Sequence, residues 1–274
     1  MKKILIFGGS GFLGKAIYKE LNPFFDVYST YYSNKNFEKN KRFTYFDIRN
    51  SPEDLINSTK PNVIISSLKG NFDEQVIFHH KLVPICEKKQ IKLFFISSSN
   101  VFDSFTNYPS YEFDKTFSES IYGKFKIAIE NKIFRMKSDN WIILRSPIIF
   151  DRNSPRIDEL KLSTKNNLPI EVFPNLVVNI NSSVIIAKQI HYFLSREIKG
   201  IVHIGSQDLI LHDELIFSLV KKLNLKKPTY KYVYTTNDKR FLALFSNRNI
   251  IPNHLKFSYE DIMKELTKNN KKMD

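Results

Sequence analysis

Apolar runs alternate with helical spacings along the first half of the chain. Lys3-Ile4-Leu5-Ile6-Phe7 is a continuous apolar run and predicts a buried strand. Phe12-Leu13, Ala16-Ile17 and Leu21 then recur at helical spacing, and Pro23 marks where that helix ends. Further strands are predicted at 25–32, 42–46, 63–65, 93–96 and 141–144. Helices are predicted at 73–89 and 121–136. Ser51-Pro52-Glu53-Asp54 starts another, with Ser as the cap, Pro at the first helical position and a carboxylate three residues after the cap.

This alternation implies an α/β fold, a doubly wound parallel sheet with helices on both faces. Residues 1–150 read as one domain of this kind. From about residue 150 the pattern loosens, with helices expected at 182–195, 211–223 and 258–268 and a strand at 201–204. Residues 151–274 therefore read as a smaller α/β part, interleaved with the first. No internal repeat or low-complexity linker interrupts the chain.

Composition narrows the class. The single cysteine, Cys86, excludes a disulfide framework and a cysteine-rich zinc module, and its apolar helical setting reads as core. No apolar run approaches a membrane span, and the apolar stretch after Met1 is too short for a signal peptide. A reduced cytoplasmic setting is the expectation. The 42 Lys and Arg exceed the 28 Asp and Glu by 14. The basic residues are scattered, in short clusters such as Lys88-Lys89, Lys221-Lys222, Lys226-Lys227 and Lys271-Lys272. With no nucleic-acid motif beside them, they predict neither a nucleic-acid nor a membrane partner. His79-His80 are adjacent and point to different faces, and His191, His203, His212 and His254 lack ligand-spaced partners, so no metal site is expected. No Gly-x-Ser-x-Gly turn supports a hydrolase, and Trp141 reads as core.

Four of the eight glycines fall in Gly8-Gly9-Ser10-Gly11-Phe12-Leu13-Gly14, between the first strand and the first helix. That context fits a dinucleotide-binding turn. One glycine allows positive φ, another lets a pyrophosphate approach the backbone, and a third lets helix and strand pack closely. The helix N-terminus then offers free N–H groups to phosphate. Gly8, Ser10, Gly11, Phe12, Leu13 and Gly14 are the candidate phosphate-binding residues. The second strand, through Tyr31, ends in hydroxyls with Lys35 nearby and no carboxylate for an adenosine ribose; Asp26 lies before it. This tilts the cofactor from NAD toward NADP. Asp47, with Ile48 beside it, is a candidate to receive the adenine amino group.

Tyr122 and Lys126 lie four apart on one helix face. An ammonium beside a phenol favours the phenolate and makes the tyrosine a usable proton donor or acceptor. The preceding strand ends in Ser97-Ser98-Ser99, whose hydroxyls are suited to bonding a substrate carbonyl. Arg145, at the end of the next predicted strand, is suited either to a phosphate or to a salt bridge.

With GGSGFLG, ISSSNVFD and YGKFK in this order, the chain resembles the extended short-chain dehydrogenase/reductases, and among them the dTDP-4-dehydrorhamnose reductase group. Ile96, Ser97, Val101, Phe102 and Asp103 match that group's Ile-Ser-Thr-Asp-Tyr-Val-Phe-Asp segment, while Ser99 and Asn100 depart from its Asp-Tyr pair. Tyr111-Glu112 with Asp114, and Leu144-Arg145-Ser146, match further segments. The likeness covers 1–150 well and 151–274 only in layout.

The resemblance implies a Rossmann fold and a nicotinamide cofactor. It implies that Ser98 polarises a carbonyl, Tyr122 donates the proton, and Lys126 lowers the Tyr122 pKa and orients the ribose. Ser66 and Ser67 match small residues of the cofactor cleft. Ser98, Ser99, Asn100 and Arg145 are the candidate substrate residues. Ser99-Asn100 stands where dehydratases carry an Asp-Glu pair, which favours a reductase or an epimerase. The group's Ser-Pro-Thr-like stretch has only Asn179-Ile180-Asn181-Ser182 as a counterpart, and its fourth-helix Asn has only Gln75 or His79. The expectation is an NAD(P)H-dependent reductase of a nucleotide-linked 4-keto sugar serving surface polysaccharide synthesis, with a homodimer as a candidate assembly. An epimerase with tightly bound NAD and a non-catalytic regulatory subunit are the alternatives.

Overall fold

The computed structural model describes residues 1–104, 107–137 and 139–267. The tail lysines 271–272 and the last residue of the expected helix 258–268 lie outside them. The first half runs β1 (Lys3–Phe7), α1 (Phe12–Leu21), β2 (Asp26–Tyr31), β3 (Phe43–Tyr45), α2 (Glu53–Thr59), β4 (Val63–Ser66), α3 (Phe72–Lys88), β5 (Lys92–Ser98), α4 (Ile121–Phe134) and β6 (Trp141–Ser146). The second half adds β7 (Ile148–Ile149), α5 (Pro155–Lys165), β8 (Ile170–Val172), β9 (Leu176–Val178), β10 (Ile180–Asn181), α6 (Ser183–Ser195), β11 (Gly200–His203), β12 (Ile210–Leu211), α7 (His212–Lys222), β13 (Tyr230–Tyr232), β14 (Arg240–Leu242) and α8 (Tyr259–Thr267).

Seven strands form one parallel sheet in the order β11-β6-β5-β4-β1-β2-β3. The strand order reverses between β1 and β4, which opens a crevice beyond their carboxyl ends. The unbroken apolar run of β1 follows from cover on both faces. Ile4 and Ile6 pack with Ile17 and Leu21 of α1 and with Ile190 and Phe193 of α6. Leu5 and Phe7 pack on the other face with Phe78 and Leu82 of α3 and Ile129 of α4. Each such buried side chain contributes roughly 1.5–3 kcal/mol. Thus α6 and β11, late in the sequence, complete the sheet and one of its helical layers. A third core joins Ile157, Val178, Leu215, Leu219, Ile262 and Met263 in the second half.

Three elements differ from expectation. Strand β5 runs on to Ser98, because Ser97 and Ser98 pair with Arg145 and Ser146. Helix α5 has no clear apolar pattern, yet it begins with the Ser-Pro start that was expected of α2. Ser154 Oγ accepts from Ile157 N at 3.4 Å, and Pro155 opens the first turn. In α2 itself the cap falls on Pro52, one residue later than expected, and Ser51 Oγ accepts from Glu53 N at 3.3 Å.

Cys86 is fully buried, and burial pushes its thiol up to about 12. Among the described residues no helix is long and apolar enough to cross a membrane, and no three His, Cys, Asp or Glu side chains are grouped to hold a metal. Burial drives His79 down to about 3, and His203 and His212 down to about 4. In the unfolded chain these rings take up protons below about pH 6.5; the folded chain resists this until near pH 4. The stability they confer is therefore present above pH 6.5 and lost as the pH falls toward 4. We expect the melting temperature to drop by about 10 °C or more between pH 7 and pH 4.5. A melting temperature constant over that range would contradict the neutral, buried state of these histidines.

Candidate active site

The glycine turn is tied down from its neighbours. Gly8 has φ +85°, its N–H donates to Thr30 Oγ1 at 3.0 Å, and Ser10 N donates to Thr30 O at 3.2 Å. A Cβ on Gly14 would lie 2.2 Å from Gly8 O, so only glycine lets α1 start against this turn. The first-turn amides of α1, those of Phe12, Leu13 and Gly14, have no acceptor within the helix, and no acidic residue stands there. This end of α1 is suited to an anion.

At the tips of β2 and β3 the structure adds a residue the sequence reading passed over. Asp47 accepts Arg49 N at 3.0 Å, and the Arg49 guanidinium grips both carboxylate oxygens. This pairing holds the Asp47 carboxyl below its usual range. Asp47, expected to face an adenine amino group, is thus already engaged. Arg49 stays exposed, 3.5 Å from the Tyr32 hydroxyl. Tyr31 is half-buried against Tyr45 and Ile48 is half-buried nearby in sequence. The signal for Arg49 was its spacing two residues after an acid at a strand end.

At the tip of β4 the two serines differ. Ser67 is half-buried and donates to Phe7 O at 3.1 Å. Ser66 is buried and lies 2.9 Å from His79 Nε2. His79 Nδ1 lies 2.6 Å from Gln75 O, a carbonyl that can only accept. The ring is therefore protonated at Nδ1, and Ser66 donates to Nε2. Gln75 and His79 brace β4 from within the core.

Helix α4 carries Tyr122 and Lys126. Its cap, Ser120, accepts from Gly123 N at 3.0 Å and donates to Asp103, which also accepts from Glu119 N at 2.9 Å. A Cβ on Gly123 would lie 2.2 Å from Asn100 O, so the glycine after Tyr122 brings α4 against the tip of β5. Tyr122 is 38% exposed, whereas Lys126 is buried and donates to Ile96 O at 2.8 Å. The Lys126 Nζ stands 5.9 Å from the centre of the Tyr122 ring.

Burial lowers the Lys126 ammonium to about 8, opposed by Glu130. Burial raises the Tyr122 phenol; a hydrogen bond with Ser98 and the charge of Arg156 pull it back. Sequence reasoning gave that pull to Lys126. The ammonium is instead directed at the Ile96 carbonyl, and Ser98 and Arg156 take the role. Arg156 went unnoticed because α5 was not predicted; it also bears on His212.

Of the other substrate candidates, Ser98 caps a 3-10 turn spanning Ser99–Phe102 and bonds Asn100, which is half-buried. Ser99 is only 1% exposed, so it faces the core rather than the crevice. Arg145 also needs correction as a substrate group. It is fully buried, with Nε 3.1 Å from Glu130 Oε1 and Nη2 2.7 Å from Oε2. Its Nη1 donates to Glu112 O at 3.1 Å, so its donors are spent inside the protein. Asn179, Asn181 and Ser182 are likewise buried; Asn179 is bonded to Ser206 O and to both main-chain groups of Leu244.

That last contact belongs to a return of the chain to the site. Ser110 N donates to Ala243 O at 2.9 Å, and Phe245 N to Ser110 O at 3.0 Å. The Glu112 carboxylate accepts from His203 N at 3.2 Å, Asn247 N at 3.0 Å and the Ser246 hydroxyl.

The sheet order, the glycine turn at the point of reversal and the Tyr122–Lys126 helix beside the β5 tip make this a Rossmann fold of the extended short-chain dehydrogenase/reductase type. Within that class the chain belongs to the family described as the RmlD substrate binding domain, whose model matches residues 1–208. It is similar in structure to a dTDP-4-dehydrorhamnose reductase from Yersinia enterocolitica, with 19% identity, a TM-score of 0.77 and 97% and 99% of the two chains covered. A dTDP-4-dehydrorhamnose reductase from Bacillus anthracis in complex with NADP gives 18% identity and 0.79, over 97% and 98%. A dTDP-glucose 4,6-dehydratase from Bacillus anthracis in complex with NAD gives 16% and 0.79, over 97% and 96%. No curated protein matches the chain in sequence.

Proposed function

We propose that the protein is an NAD(P)H-dependent reductase of a nucleotide-linked 4-keto sugar serving surface polysaccharide synthesis. The observation that carries this reading is the meeting of Ser98, Tyr122 and Lys126 where the β5 tip abuts α4. A nicotinamide dinucleotide suits the residues present. Gly14 leaves the helix start close to the turn, and the amides of Phe12, Leu13 and Gly14 are free for a pyrophosphate. The carboxyl end of β2 has no carboxylate, and the exposed Arg49 stands beside it, which favours the extra phosphate of NADP. Ser67, Tyr31 and Ile48 line the same crevice in this reading, and Lys126 holds the ribose. The similar reductase and dehydratase structures were obtained with NADP and NAD respectively.

A nicotinamide held there would be the source of the hydride for the sugar carbonyl carbon. Ser98 hydrogen-bonds the carbonyl oxygen, and Tyr122 gives that oxygen its proton as the alkoxide develops. Lys126, charged below about pH 8, stabilises the phenolate left behind. The dinucleotide is assigned to residues 1–150. Residues 151–274 supply the sugar-nucleotide side, where Arg156 brings a positive charge near Tyr122.

The test joins binding to turnover. NADPH at a hundredfold excess over its Kd should raise the melting temperature by about 5–10 °C, more than NADH does. Adding nucleotide-linked 4-keto sugars should then consume the reduced cofactor. Interconversion of sugars with no net consumption would point to an epimerase. Cofactor binding with neither outcome would favour a regulatory subunit.

A further inference from the structure

The Ser98 hydroxyl has one proton and two claims on it. Its oxygen accepts Asn100 N–H at 3.2 Å, and its proton goes to Asn100 Oδ1 at 3.0 Å. The Tyr122 phenol is the second claimant, since hydrogen bonding by Ser98 pulls it down. While the proton rests on Asn100 it can serve neither Tyr122 nor a carbonyl oxygen in the crevice.

The Asn100 main chain cannot step aside, because its carbonyl oxygen is packed on Gly123. The carboxamide can turn, however, since χ2 of asparagine is a soft torsion and this side chain is only half-buried. Turned by about 180°, it presents Nδ2–H to Ser98 Oγ. The serine oxygen then accepts two N–H bonds, and its proton is free to point outward. A carboxylate at this position has no donor and would keep the proton.

We propose that Asn100 is a positioning residue: rotation of its carboxamide releases the Ser98 proton from Asn100 Oδ1 to the substrate carbonyl oxygen. This rests on the reductase reading above. The other groups bearing on Tyr122 are Lys126 and the Phe125 ring on its own helix, Arg156 from α5 and the Phe72 ring from α3. None of them is altered by changing Asn100.

The experiment follows Tyr122 directly, by NMR titration of 13C-labelled tyrosine with Y122F assigning the signal, in wild type, N100A, N100D and S98A. In N100D the carboxylate retains the Ser98 proton, so Tyr122 should titrate above its wild-type value, as in S98A. In N100A the proton is released, and Tyr122 should titrate below it. In the reductase assay N100D should lose about tenfold or more in kcat at neutral pH with little change in KM, and recover as the pH falls and the new carboxyl is protonated. A Tyr122 titration unchanged in N100D, or shifted the same way in both variants, overturns the proposal. Should N100D not fold, N100A decides, and a Tyr122 value at or above wild type overturns it. Absence of turnover in the wild type overturns the reductase reading instead, whatever the titrations give.

Discussion

Replacing Tyr122 by phenylalanine is expected to lower kcat by about 10²- to 10⁴-fold, the range for a lost general acid. The ring itself should stay where it is. It packs edge-on against Phe72 at 5.6 Å and against Phe125 at 5.2 Å, contacts that phenylalanine keeps. The melting temperature and its rise with NADPH should therefore match wild type, while cofactor consumption with a 4-keto sugar nucleotide nearly vanishes. Because Ser98 and Lys126 remain, the residual rate measures what they do without a proton donor. A Y122F enzyme with wild-type kcat would remove Tyr122 from the mechanism.

Replacing Glu130 by alanine is expected to cost about 3–5 kcal/mol of stability, as for breaking a buried ion pair from one side. The Arg145 and Glu130 side chains are 2% and 1% exposed, so water cannot replace the lost carboxylate. Ser97 loses its acceptor as well. Urea unfolding should register the loss, and E130Q, which keeps the shape and drops the charge, should fall between. The same change reaches the site. Glu130 opposes the lowering of Lys126, so without it the ammonium titrates still further below about 8. The alkaline limb of the kcat/KM profile should then move to lower pH in E130Q, provided that the variant is folded. A loss under about 1 kcal/mol would mean that Arg145 finds another partner.

These residues also show what a sequence can and cannot carry. Strand β1, the turn and α1 were legible because β1, covered on both faces, is apolar at every position from Ile4 to Phe7 and the glycines sit between two clear periodicities. The tip of β5 was not, since Ser97 and Ser98 hold their places by main-chain pairing rather than by burial of apolar groups. Helix α5 buries only Ile157, Leu160 and Thr164, too few to stand out. The two- and three-residue strands of the second half are set by their partners in space. Tyr122 and Lys126 could be found because both lie on one helix face. Arg145 could not be settled that way. It shares a strand face with Ile143, two residues earlier, which packs in the core under α4, and there it meets Glu130. Asp47 was visible, but Arg49 two residues on, which occupies it, was read past.

The return of residues 243–247 to Ser110, Glu112 and His203 has a consequence for how the protein is made. A ribosome delivers Ser98, Tyr122 and Lys126 long before the segment that braces the loop leading into α4. The nascent chain can close the sheet once β11 emerges, yet Glu112 waits for Ser246 and Asn247 before its carboxylate is satisfied. Maturation of the site is thus deferred until residues 243–247 have been made. A chain interrupted ahead of residue 243 would hold every residue assigned to the hydride-transfer chemistry and still lack the strut that ties down Ser110 and Glu112 in the loop before α4.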